Sequence, residues 1–167
     1  MNILTAITLF ACGTLTSFIT HELGHYIGFM VVGVPRKEMK LSLTSVSLSE
    51  RASAIVLSKN KIRQIFPVVL GPVGGIIGGL LFSVIIPKKN NLFREIFITA
   101  TISAHIMQFF PVPAGSDGSV IVEMLSRSNG YIDDKLNKRY TIIIGILATT
   151  TSLFFLKKIV VNDSLNK

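Results

Sequence analysis

His21-Glu22-Leu23-Gly24-His25 is where residue types and spacing read most directly as chemistry. Residues four apart on a helix project from one face, so two imidazoles at this spacing can grip a single zinc ion. Glu22 then lies beside the metal, within reach of a water whose proton it can take as a general base. The cluster sits inside an apolar run, with Thr16-Ser17-Phe18-Ile19-Thr20 before it and Tyr26-Ile27-Gly28-Phe29 after it. A charged side chain at the centre of a bilayer costs roughly 2.5–3.5 kcal/mol on insertion scales, so three ionisable groups in one turn need a partner or a water-filled cavity. The competing reading is a structural histidine pair bonded to neighbouring helices. It leaves two imidazoles in an apolar segment without a chemical reason to be there.

A catalytic zinc site usually has three protein ligands and one open position. The third ligand must come from Glu38, Glu50, Glu95, Asp117, Glu123, Asp133, Asp134 or Asp163. Depth sorts these carboxylates. His21 lies eighteen residues beyond Ile3, or about 27 Å along a helix, close to the inner edge of a roughly 30 Å hydrocarbon core. The third apolar segment runs in the same direction, and eighteen residues from Phe93 reach Pro111. The stretch Phe110-Pro111-Val112-Pro113-Ala114-Gly115-Ser116-Asp117-Gly118 therefore arrives at the same depth, and Asp117 is the expected third ligand. Its Pro and Gly neighbours break the helix and make irregular backbone, which membrane depth tolerates only where it lines protein or a cavity. The alternative is a plain loop turn before the amphipathic stretch Ser119 to Leu125.

The elements that must position these groups are helices in a membrane. Of 167 residues, 49% are hydrophobic and only 16% charged, against about 25% charged in ordinary soluble domains, and the mean hydropathy is +0.59. Four apolar segments, Ile3 to Val34, Ile65 to Ile86, Leu92 to Val112 and Tyr140 to Val161, predict four transmembrane helices in an all-α fold. The chain is short enough to be one membrane-embedded domain, 1–167, with its chemistry among the helices. Between the first two segments Met39, Leu41 and Leu43 alternate with Lys40, Ser42 and Thr44, and after a phase slip Val46 and Leu48 alternate with Ser47 and Ser49. Period two predicts a bulged strand or a tight hairpin at the membrane surface. Cys12 lies within the first apolar run and reads as helix filler. The net charge of +8 comes from basic residues beside apolar spans without interleaved aromatic platforms, which favours the lipid bilayer over nucleic acid as partner.

With these residues in hand, the chain resembles the site-2 protease family of intramembrane zinc metalloproteases. Members carry H-E-x-x-H in the first core helix and an aspartate ligand in a Pro-rich L-D-G motif after the third, and His21, Glu22, His25 and Asp117 match those positions. Here Gln108-Phe109-Phe110-Pro111 precedes Ser116-Asp117-Gly118, with Gln for the family's Asn and Ser for its Leu. The resemblance implies that the Gln108 carboxamide holds substrate backbone. Gly71-Pro72-Val73-Gly74-Gly75 stands where the family has G-P-x-x-N. Gly71, Gly75 and Gly79 are read first as a helix-packing face and only second as a substrate contact. His105, one turn before Gln108, is read as a packing or hydrogen-bonding group rather than a ligand.

These readings converge on a zinc-dependent intramembrane endopeptidase. His21, His25 and Asp117 would hold Zn2+, Glu22 would be the base, and a membrane protein or peptide would be the substrate, in peptide maturation or regulated proteolysis. The alternative is a catalytically silent membrane protein that binds peptides on the same fold, as an immunity or chaperone protein would. The expected location is a bacterial cytoplasmic membrane.

Seven Lys and Arg lie between the first two segments and four between the last two, against six on the other side. The positive-inside rule then puts both termini outside. Accessibility labelling of Ser58→Cys in a Cys12→Ser background is expected only from the inner side. Labelling from the outer side alone would reverse the orientation.

Overall fold

The computed structural model describes residues 2–112, 114–128 and 131–165, with side chains as far as Phe154. Pro113 of the Pro/Gly segment, Lys167, and the side chains of Lys157, Lys158 and Asp163 lie outside the described residues. Six helices dominate: α1 (Ile3–Val31), α2 (Glu50–Leu57), α3 (Lys61–Ser83), α4 (Asn91–Met107), α5 (Asp117–Ser126) and α6 (Asp134–Leu165). Two antiparallel ribbons join them, β1 (Met39–Leu41) with β2 (Val46–Leu48), and β3 (Arg127–Ser128) with β4 (Tyr131–Ile132). By contacts the chain divides into two compact units, Met1–Thr101 and Ile102–Lys167.

In the first unit α1 begins at Asn2, whose side chain accepts from Thr5 N–H at 2.8 Å, an N-cap that satisfies a helix donor. It stops at Val31 because Gly33 takes φ +96°, a left-handed conformation that only glycine adopts freely. Gly33 N–H bonds Met30 O and Val34 N–H bonds Phe29 O, the paired closure of a Schellman motif. The first apolar segment thus extends to Val34, but the helix ends three residues earlier. Helix α3 starts at Lys61, four residues before the apolar run, because the Asn60 side chain accepts from Arg63 N–H.

The helix pair α1–α3 is built the opposite way from a soluble bundle. The buried stripe of α1 is Gly13, Ser17, His21, Gly24 and Gly28, small or polar and three to four residues apart. Ile3, Leu4, Ile7, Leu15, Phe18 and Val31 are exposed. Ser17 Oγ donates to Gly75 O at 2.8 Å. A methyl at Gly24 would stand 2.0 Å from the Leu70 carbonyl oxygen, and one at Gly74 2.4 Å from Thr20 O. Small residues let the two backbones approach, as helices do where no hydrophobic effect drives them together. Both α1 and α3 are long and apolar enough to cross a membrane, and only 11% and 39% of their most apolar windows are buried. The first half of α4 joins them. Phe97 packs edge-on to Phe10 at 6.1 Å and against Phe82 at 5.6 Å, and Thr101 fills the space left by Gly79.

The segment after α1 has a small core of its own, Val32, Val34, Ala52 and Val56, with Phe29, Met39, Leu48 and Ile55 against it. The phase slip is a hairpin turn. Met39 pairs with Leu48 and Leu41 with Val46, and Ser42 Oγ ties the turn by accepting from Ser45 N–H at 3.0 Å. Ser49 caps α2 through Ala52 N–H at 3.1 Å.

The predicted span 92–112, whose second half opens the second unit, is helical only to Met107. Phe109 and Phe110 close it with N–H bonds to Ile106 O and Met107 O, a tightened 3₁₀-type finish. The chain then folds back, so that Gly118 N–H bonds Gln108 O at 2.9 Å. A methyl at Gly118 would meet Phe109 O at 2.0 Å. Helix α5 packs on α6, and α5, α2 and the β3–β4 ribbon are elements that the four-span expectation lacks.

Candidate metal centre

Every group that the sequence singled out on α1 sits on or beside the buried face. His21 is 6% exposed and Glu22 9%, while His25 is half-buried. The four-residue spacing stacks the two rings at 80° with centroids 4.7 Å apart, and their Nε2 atoms face each other at 3.0 Å. Two nitrogens on one tetrahedral zinc, each about 2.0–2.1 Å from the metal, stand roughly 3.3 Å apart. The pair is therefore within a few tenths of an ångström of that separation. The Nδ1 of His25 is 2.9 Å from Pro67 O on α3. A carbonyl only accepts, so Nδ1 carries the proton and Nε2 keeps its lone pair in the neutral ring.

Asp117 owes its place to the fold-back after α4. Ser116 caps α5, accepting from Ser119 N–H at 3.2 Å and donating to Phe110 O at 2.7 Å. Asp117 is thus the first residue of α5, where the positive end of a helix favours a carboxylate. Gly115, at φ +89°, makes the turn that leads in, and its N–H bonds Ser119 Oγ. The turn expected before the amphipathic stretch is present, and its cap sets Asp117 at the start of α5. Ser116 is the capping residue.

One ligand atom from each of His21, His25 and Asp117 lies within 4.8 Å of the others, a group that could hold a metal ion. Two imidazoles and a carboxylate are the borderline donors that zinc takes. Glu22 is not among these mutually close ligand atoms. Of the other carboxylates, Glu38 accepts from Ser49 Oγ, Glu95 from Asn91 and Glu123 from Arg127. Asp133 accepts from Lys135 and Leu136 N–H at the start of α6. Glu50 and Asp134 are exposed.

Gln108 is half-buried, and with Ala104, Met107, Ala114, Gly115 and Ser116 it lines an open groove of about 520 Å³. His105 is 4% exposed. Sequence reasoning missed the roles of Pro67 and Gly71 beside His25. Cys12 is free and exposed. No protein-family model, curated protein or solved structure matches the chain.

Metal analysis of detergent-purified protein is expected to give about one zinc per chain, falling sharply in His21→Ala, His25→Ala and Asp117→Ala. Full retention in Asp117→Ala would remove the third ligand.

Proposed function

We propose that the chain is a zinc-dependent intramembrane endopeptidase of the site-2 protease kind, cutting a membrane-embedded or membrane-adjacent peptide segment. The observation that carries this reading is the His21–His25–Asp117 group on an apolar helix, with Glu22 buried next to His21. A metal-gripping pair with a buried carboxylate between its two members and outside the ligand set is the arrangement that hydrolysis needs and that mere metal storage does not. In this reading α1, α3, α4 and α6 cross a bacterial cytoplasmic membrane. The outward-facing leucines, isoleucines and phenylalanines of α1 and α3 support it, because contact with lipid leaves them no worse placed than contact with protein.

His21, His25 and Asp117 hold the ion. When bound, zinc polarises the scissile carbonyl and lowers the pKa of water towards neutrality. Glu22 takes the proton of the attacking water and delivers it to the leaving amine. A helical substrate keeps its carbonyls bonded and must be extended before attack. The β1–β2 ribbon supports that step, because among the described residues each strand pairs only with the other, leaving an edge to which a peptide can add while its backbone groups stay satisfied. The Gln108 carboxamide, on its groove, holds substrate backbone.

Glu22→Gln keeps the volume and polarity of the side chain and loses the proton acceptor. Co-expressed with single-span substrates, it is expected to retain zinc and substrate while cleavage falls by about 100-fold or more. Equal cutting by Glu22→Gln and parent, with none by His21→Ala, would refute the base. Equal binding by both with no cleavage by either would favour the silent peptide-binding protein.

A further inference from the structure

We infer that α3 positions the metal-binding nitrogen of His25 through two residues one turn apart, the carbonyl of Pro67 and the bare Cα of Gly71. The inference rests on the metal-centre reading and deepens it. Pro67 O at 2.9 Å from Nδ1 selects the tautomer, since only a protonated Nδ1 satisfies both atoms. Gly71 supplies the seat. A methyl there would lie 2.2 Å from Cε1, 2.3 Å from Nε2 and 2.7 Å from Nδ1 of His25. Cε1 and both nitrogens of the ring thus lie in the space a side chain at Gly71 would occupy, and any side chain at position 71 displaces the atom that faces His21.

The arrangement depends on how closely the helices meet. A methyl at Gly28 would stand 2.5 Å from Pro67 Cα, and one at Gly24 would stand 2.0 Å from Leu70 O, so glycines on α1 bring the Pro67 carbonyl within reach of the ring. The Gly71-Pro72 pair is then part of the metal centre's support. A ligand imidazole that donates its other nitrogen to a carbonyl is held in one orientation, and loss of such support typically lowers metal affinity 10- to 100-fold.

Gly71→Ala and Gly79→Ala separate this role from packing. Both add one methyl to α3, but at Gly79 it meets the Thr101 side chain of α4, with Cγ2 at 2.2 Å, and no atom of α1 is among its three nearest neighbours. Cobalt(II) titration of metal-free protein in detergent is expected to show at least tenfold weaker binding and an altered visible spectrum for Gly71→Ala. Gly79→Ala is expected to melt earlier yet keep the parental cobalt affinity and spectrum. Parental affinity and spectrum in Gly71→Ala, or equal loss in both variants, would overturn the inference while leaving the metal centre standing. A parent that takes up no cobalt would overturn the metal centre itself and the inference with it. Should Gly71→Ala fail to fold, 15N spectra of histidine-labelled metal-free parent decide the matter. The neutral His25 ring is expected with its proton on Nδ1, and a proton on Nε2 would contradict the proposal.

Discussion

Two imidazoles and a carboxylate within one turn of an apolar helix are what the rest of the first unit is arranged around. Solvated in lipid they would be untenable, and paired with bulky neighbours they would have no room for an ion. The solution is close backbone approach. Gly24 and Gly28 on α1, with Gly71, Gly74 and Gly78 on α3, remove the side chains that would hold the helices apart. The polar groups find partners across the gap, Ser17 with Gly75 O and His25 with Pro67 O. The large apolar residues are displaced to the outside.

Asp117 is delivered by a different device, a local one. The backbone of Gln108 receives Gly118 N–H, the Ser116 side chain bridges Phe110 O and Ser119 N–H, and Gly118 accepts an approach to Phe109 O that no other residue allows. The two histidines and Asp117 thus come from two unlike constructions, a helix interface and a capped turn. The conformation of the turn is fixed by hydrogen bonds among residues 108–119.

Much of this was legible in the sequence because it depended on short-range pattern. His21 and His25 are set by helical periodicity, and the Met39–Leu48 hairpin by alternation of period two. The apolar lengths of α1 and α3 are set by composition. The end of α4 was not legible, because hydropathy runs on through Phe109, Phe110, Pro111 and Val112 while the fold-back that stops the helix is made by bonds to residues ten positions later. The depth count therefore reached Asp117 by assuming a longer helix than exists, whereas the structure returns the chain to the helix end through the Gly118 N–H to Gln108 O bond. The seat of His25 was invisible for a related reason. Gly71 reads as a packing residue in any helix, and only the register of α3 against α1 makes it the neighbour of an imidazole.

Zinc X-ray absorption on the purified parent protein bears most directly on the central claim, that His21, His25 and Asp117 together hold the ion. The account predicts two imidazole nitrogens and oxygen at about 2.0–2.1 Å, with no sulfur. A sulfur shell near about 2.3 Å, which would bring in Cys12, or a spectrum with fewer than two imidazoles, would contradict it.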